Sequence, residues 1–538
     1  MPLWLGGSGR PRRADVSERE ALYKTVVEHR DDDAPRLVYA DWLQENGDEP
    51  RAEFIRLQCR LAGMTPGDEG YFELRQRERE LWSAYGHHWG GKVPHASRHG
   101  MPFARGFLDR FTPPMGVLGL DLCLEVMPGS DYCPGQQQLL SSDCSVFTSP
   151  NFADVRRVSL NGLFVAASLP LASALRESPY SKGLVGLDFD SSVLRLTDSD
   201  LAVLTEPEAL PNLRELVFPP ASGFSPRGMS SILDAPWADH LKTFGFVRGD
   251  LKDGTAESLP SGSLPGVHTL RLQPGLTYPA GPVIRRNAFP GLRAIDSTAV
   301  WDSPGLTALI NGYPALRELR LDGCDFRRGC ADALAGPGMA KLRSLTLRYS
   351  RLLAAEVARI AASPHLSSLL ELDLSGNSLT RTALLALSGS DHLRGLMCLR
   401  LASRFWRRPT PPHVLEFLQR LELPNLRTLD LSHLPVGTAG ARYIAESDKF
   451  AGLRELYLAN CQIGNEGTEA LVGSSCLTRL MALSVGGDAT EGLSGLTDER
   501  NLPALRCCHG FSRDVTSAEV RRALKARYES RRLPDGAK

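Results

Sequence analysis

Residues Leu453–Gly473 read LRELYLANCQIGNEGTEALVG, and the reading of this stretch decides the fold. Leu453, Leu456 and Leu458 follow the spacing L-x-x-L-x-L. The last two leucines are two residues apart, which puts both on one face of a short strand and the residue between them on the other. Cys461 follows where the chain must turn, and its small side chain can bond to backbone groups that the turn leaves free. Ile463, Ala470 and Leu471 then supply an apolar stripe at helical spacing. Strand, turn and returning helix make one unit.

Outward from this stretch the unit recurs. Its first position falls at Val155, Leu184, Leu213, Leu241, Val267, Leu292, Leu316, Leu342, Leu369, Leu396, Leu426, Leu453, Leu480 and Leu505, fourteen in all. Steps run from 24 to 30 residues, inside the range of leucine-rich repeats. A buried leucine is worth about 1.5–3 kcal/mol against exposure, but one unit cannot bury its own face, and only stacking makes the core continuous. The expected fold is α/β: a solenoid with a curved parallel sheet inside and helices outside. LRELRLDGC from Leu316, LLELDLSGN from Leu369 and LRTLDLSHL from Leu426 are regular copies. Units before Leu316 are ragged, with Phe244, Phe246, Asp296 and Ser297 in place of expected residues and frequent proline. Irregular or missing helices are expected there. The helical return segments, as in GTAGARYIAES and GTEALVGSS, resemble the ribonuclease-inhibitor class of these repeats.

Composition sets limits on function. At 538 residues the chain exceeds one compact core. Its 62 basic and 62 acidic residues cancel, which removes any global attraction to nucleic acid or an anionic membrane. No run of about eighteen apolar residues occurs, so no membrane span is expected. The eleven cysteines lack paired spacing and fit reduced thiols of a cytosol better than a disulfide framework. A cytoplasmic protein is expected.

The N-terminal region reads differently. Residues 1–15 are a lead, and 16–100 a small helical domain with a first helix over Glu20–His29. Asp33-Ala-Pro35-Arg36 and Asp48-Glu-Pro50-Arg51 share the form D-x-P-R. Each suits a helix start, with an aspartate to cap free amides and a proline in the first turn. In the second, Phe54, Leu57, Gln58 and Leu61 fall on one side. A charged helix over Glu69–Tyr85 should follow. The run DDDAPRLVYADWLQENGDEPRAEFIRLQCRL, Asp31–Leu61, with RERELW after it, resembles the bacterial repeat-companion domain, named for preceding repeat arrays. That resemblance implies an architecture and no reaction. ARGFLDRF, Ala104–Phe111, is similar to the segment joining this domain to leucine-rich repeats. Residues 101–150 read as a connector with a capping strand or degenerate repeat, 151–512 as the array, and 513–538 as a capping helix and tail. In the tail, Val520, Ala523, Leu524 and Tyr528 form one face, and a basic face opposite could alternatively dock a partner.

Enzyme signatures are absent: the sequence has no G-x-x-x-x-G-K-[ST] and no G-x-S-x-G. His87, His88, His95 and His99 cluster, but Pro94 and Gly90-Gly91 break the helix that would align two of them on a metal. No cofactor and no metal are expected. The outward positions of the strands are the candidate site. Their central column runs Arg271, Asp296, Arg320, Thr346, Asp373, Arg400, Asp430, Tyr457, Ser484, with Glu318, Asp322, Arg348, Glu371 and Glu455 beside it. Such charges can pair with one another along the sheet, contributing roughly 0–1 kcal/mol each, or form a mixed-charge docking surface anchored by Arg and Tyr. Glu318, Arg320, Asp322, Arg348, Glu371, Asp373, Arg400, Asp430, Glu455 and Tyr457 are the expected partner contacts. Alternating sign argues against a phosphate track there. The expected function is a non-enzymatic, monomeric scaffold that binds a protein partner on the concave face. The alternative is a regulatory or substrate-recognition subunit that docks to an enzyme through its N-terminal domain.

Overall fold

The computed structural model describes 13–62 except 30 and 31, single positions between 64 and 81, and strands within 103–111 and at 157–159. Beyond these it describes 171–188, 196–218, 225–247, 263–273, 288–298, 301–403 and 409–509, with short breaks. The expected connector over 113–150, the histidine cluster and the C-terminal helix lie outside the described residues. The chain divides into two compact units, Met1–Ser159 and Leu160–Lys538.

In the first unit three helices span Arg13–Glu28, Ala34–Glu45 and Glu49–Ala62. The first begins before the expected lead ends. Both D-x-P-R segments open helices, but the first is capped one residue earlier than expected. Asp33 makes no side-chain capping bond, and Asp32 Oδ1 instead accepts from the Ala34 amide at 2.9 Å. The second helix stops at Asn46, whose Nδ2 donates to Trp42 O at 2.8 Å, and Gly47 turns the chain with φ of +85°. Val26, Tyr39, Ala40, Leu43, Ala52 and Ile55 form the core. Phe54, Leu57, Gln58 and Leu61 are all buried, as their spacing predicts. Gln58 Nε2 donates to the buried Glu78 at 2.7 Å, so its amide is not left unpaired. Two antiparallel strands, β1 (Phe103–Ala104) and β2 (Phe107–Leu108), and a parallel pair, β3 (Arg110–Phe111) and β4 (Arg157–Ser159), complete this unit.

The second unit is an open parallel sheet in which every strand neighbours the next in sequence. Its first strands are β5 (Gly186–Asp188), β6 (Glu215–Val217), β7 (Thr243–Val247), β8 (Thr269–Gln273) and β9 (Ala294–Ser297). The middle holds β10 (Glu318–Leu321), β11 (Ser344–Thr346), β12 (Glu371–Asp373) and β13 (Cys398–Arg400). The end holds β14 (Thr428–Asp430), β15 (Glu455–Ala459), β16 (Ala482–Gly486) and β17 (Cys507–His509). Every strand of β4 to β17 begins two residues after a first position read from the sequence. Register then puts like with like: Leu319, Leu345, Leu372, Leu399, Leu429 and Leu456 pair in succession and are buried.

Helices return the chain between strands. Those at Ala354–Ala361, Arg381–Ser388, Pro411–Arg420, Gly437–Glu446 and Gly464–Val472 have 8 to 10 residues. Earlier returns at Asp198–Leu204 and Pro226–Ser231 have 7 and 6. The early array is not uniformly eroded, because Ser303–Gly312 is a 10-residue helix. Two of the ragged positions are also resolved. Asp296 is an outward residue paired in register with Arg320, so it replaces no leucine. Ser297 does occupy a leucine site, is fully buried, and has its Oγ bonded by Trp301 Nε1 at 3.0 Å. Phe244 fills the leucine column and packs edge-on against Phe218, ring centroids 6.0 Å apart.

At several turns after the strands one buried side chain ties the chain to the repeat before it. Asn377 Nδ2 donates to Leu347 O at 2.7 Å and Leu374 O at 2.8 Å, while its Oδ1 accepts from the amides of Ser350 and Leu352. Cys461 Sγ contacts Leu431 O at 3.1 Å, and Ser350 Oγ donates to Leu321 O at 2.8 Å. Each therefore bonds to the preceding repeat and ties adjacent turns together. Burial pushes the Cys324 and Cys461 thiols far up, so both remain protonated donors.

Candidate functional site

The strands are short, and alternation leaves only two or three outward positions on each. Register brings Arg271, Asp296, Arg320, Thr346, Asp373, Arg400, Asp430, Tyr457 and Ser484 into one column, as the spacing predicts. A second column runs Glu318, Ser344, Glu371, Cys398, Thr428, Glu455.

Burial separates these residues into three groups. Glu318 and Arg320 are exposed, while Asp322, Arg348, Glu371, Arg400, Asp430 and Tyr457 are half-buried. Asp373 and Glu455 keep only 3% and 4% exposure, so neither offers much surface to a partner. Both are held in place by neighbours. Arg348 Nε lies 2.7 Å from Asp373 Oδ2, and Asp373 Oδ1 accepts from the Ser375 amide at 2.9 Å. Glu455 Oε2 accepts from Thr428 Oγ1 at 3.3 Å and Tyr457 OH at 3.2 Å, which fixes the tyrosine ring.

Charge pairing is partly as expected. Arg320 approaches Asp322 on its own repeat at 3.8 Å, rather than Asp296 across the ladder. Asp322 Oδ1 also accepts from the Arg348 amide at 3.1 Å. Burial raises the Asp322 pKa, and Asp296 adds to the rise. That amide bond and the positive charges of Arg320 and Arg348 only partly oppose it. Arg400 stands between Asp373 and Asp430 in register. Burial pulls its pKa down, but Cys398, Asp373, Glu371 and Glu455 outweigh that and hold it above the usual value. Beneath it the Cys398 thiol is pushed up to about 12, mainly by burial. A protonated thiol under a guanidinium offers no nucleophile.

Arg271 behaves differently again. Its Nη1 lies 2.7 Å from Asp188 Oδ2, although β6 and β7 stand between them. Three strand steps amount to about 14 Å on a flat sheet. In register Val217 and Gly245 lie between them, and Gly245, next to Arg271, presents no side chain of its own.

One exposed aromatic was not singled out by sequence reading. Tyr349 is 62% exposed with φ of +54°, and its ring lies over Gly376. The aligned positions Gly323, Gly376 and Asn460 also have positive φ, and these residue types accept it readily. A tyrosine in that column was the available signal. It stands beside Arg348 and extends the outward patch.

The family model described as Leucine Rich repeat matches residues 453–472, the stretch from which the reading began. The fold is a leucine-rich-repeat solenoid. No curated protein matches the chain. Leucine-rich repeats generally mediate protein–protein interaction, and the outward face has the Arg, Tyr and carboxylate side chains such contacts use. Among the described residues, no group of three or more His, Cys, Asp or Glu could hold a metal ion. Nor is any described helix long and apolar enough to cross a membrane.

Proposed function

We propose that the protein is a non-enzymatic cytoplasmic scaffold that captures a protein partner on the outward, concave face of its solenoid. The observation that carries this reading is the patch from β10 to β15. Exposed Glu318 and Arg320, half-buried Arg400 and Tyr457, and the exposed ring of Tyr349 all stand on a sheet held rigid by the turn ladder. A preformed surface binds without a large ordering cost. In this reading Asp373 and Glu455 orient Arg348 and Tyr457 rather than touch the partner. The second and third N-terminal helices, opened by the two D-x-P-R segments, support assignment to the repeat-companion type, and the helical returns support the ribonuclease-inhibitor-like type.

The test is site-specific photo-crosslinking in native cytosol, with the crosslinker at Arg320 on the sheet or at Arg359 on the helical side. A discrete partner adduct from position 320 that is absent from 359 is expected. Adducts from 359 alone would place the contact elsewhere.

A second reading is favoured by Leu37 and Val38 on the helix Ala34–Glu45, which are 39% and 52% exposed. An exposed apolar pair on a small helical unit suits docking of an enzyme there, with the solenoid choosing its substrate. Changing both to Ser should then release the enzyme and retain the solenoid's partner.

A further inference from the structure

The residue after each first leucine forms its own column, just before the strand. Over six consecutive repeats it runs Arg214, Lys242, His268, Arg293, Arg317 and Arg343, one cationic or titratable base on each, bounded by Val185 before and Leu370 after. These positions are immediate neighbours. The amide of each donates to the carbonyl of the one before: His268 to Lys242 at 2.8 Å, Arg293 to His268 at 2.8 Å, Arg317 to Arg293 at 2.7 Å and Arg343 to Arg317 at 2.7 Å. Lys242, Arg293, Arg317 and Arg343 are exposed, and no ion pair engages them among the described residues.

The loops that feed β8 to β12 deepen the asymmetry. They read SLPGVH, AFPGLR, GYPALR, GPGMAKLR and SPHLSSLL, and contain no Asp or Glu. Exposed Lys341 adds a further charge. Carboxylates flank the run rather than interrupt it: exposed Asp234 and Asp239 precede Lys242 in the loop before β7, and Glu215, Glu318 and Glu371 stand on the adjoining outward column. His268 registers this field: after burial, Lys242 and Arg293 are what lower its pKa. A chain of zero net charge thus carries a one-sign strip along one edge, beside a face of mixed sign.

We propose that this edge docks an acidic helix of a partner protein, separately from any contact on the sheet face. Four strand steps from Lys242 to Arg343 span about 19 Å at 4.8 Å each, the length of a helix of about 13 residues. Carboxylates at i, i+3 and i+4 on a helix have Cβ atoms about 5–6 Å apart, close to the spacing of the cations. Single-stranded nucleic acid would want exposed aromatic rings on which to stack bases. The exposed large apolar side chains among the described residues are Leu37, Val38, Tyr349 and Leu353, and none belongs to these loops. Arginine's planar fork pairs carboxylates bidentately, so a strip of this kind selects a partner's charge pattern as well as its sign.

The full chain would be titrated against a fluorescent helical peptide of about 14 residues carrying glutamates along one face, in low salt. The comparators are a peptide with the same glutamates spread around the helix, and single-stranded and duplex DNA. The patterned peptide should bind at least about tenfold tighter than the spread one and weaken as salt rises. Arg293→Glu with Arg317→Glu should remove about tenfold or more of that affinity, whereas Arg359→Glu on the helical side should leave it unchanged. If reversal disturbs folding, seen as lost helical circular dichroism, Arg293→Gln with Arg317→Gln carries the same expectation. Equal binding of the two peptides, or affinity that ignores both strip variants, overturns the proposal. DNA binding tighter than the patterned peptide, and lost with the same residues, would replace it with a phosphate track.

Discussion

Arg271 and Asp188 meet at 2.7 Å across two intervening strands. Val217 and Gly245 are the in-register residues between them, and the missing side chain at 245 leaves room beside Arg271. A Cβ built there would lie 2.8 Å from Val217 Cγ1, 2.9 Å from Val217 Cγ2 and 3.1 Å from Arg271 Cβ. Gly245→Ala should therefore displace both neighbours and cost about 1–3 kcal/mol, read as a lower midpoint in urea. Gly245→Val should cost more. An unchanged midpoint in both would mean that the early strands yield freely and that the bridge is incidental.

The turn ladder should be the most sensitive part of the solenoid. Asn377→Ala leaves the amides of Ser350 and Leu352 and the carbonyls of Leu347 and Leu374 without their partner. A buried group left unpaired costs about 1–3 kcal/mol, so a loss of several kcal/mol is expected for the whole set. Asn377→Asp keeps the acceptor but sets a buried carboxylate oxygen against the Leu347 and Leu374 carbonyls, and should cost at least as much as the alanine at neutral pH. Guanidinium unfolding curves of the three proteins check the order.

Asp322 gives a pH prediction. Its folded pKa is raised, chiefly by burial, so the native state holds its proton more tightly than the unfolded chain. Its contribution favours folding at low pH and is lost as pH climbs from the ordinary value of about 3.9 through the raised one. Asp322→Asn abolishes that titration and can still accept from the Arg348 amide. The variant should be relatively more stable at pH 7 than at pH 3. Thermal melts of both proteins at the two pH values decide it, and a constant difference would count against a raised pKa at Asp322.

Thiol chemistry reports on the core. Cys324, Cys398 and Cys461 are buried, and burial raises all three, Cys398 to about 12. Native protein treated with iodoacetamide at pH 8 should leave these three unmodified by mass spectrometry. The same treatment in denaturant should label them fully. Labelling at Cys398 in native protein would mean that the sheet opens at β13.

The array, its repeat boundaries and its two outward columns were legible in the sequence, because each follows from local spacing. A residue two positions after a first leucine starts a strand in every copy from Arg157 to Cys507, since alternation in a strand leaves no other choice of face. The second and third N-terminal helices were legible for the same reason, through Pro35, Pro50 and the i, i+3, i+4 pattern from Phe54. Tertiary structure decided what each outward residue is available to do. Glu455 sits at an outward position yet is buried, because Thr428 and Tyr457 from the same face close over it. Arg271 finds a carboxylate 83 residues away because stacking brings β5 and β8 within reach of one long side chain and Gly245 beside it is bare. The basic edge was written as a run of LR, LK and VH pairs, but only stacked repeats turn that run into a strip. Spacing along a chain sets which face a residue takes. Burial, pairing and the field around it depend on neighbours from other repeats, which meet only once the solenoid has stacked.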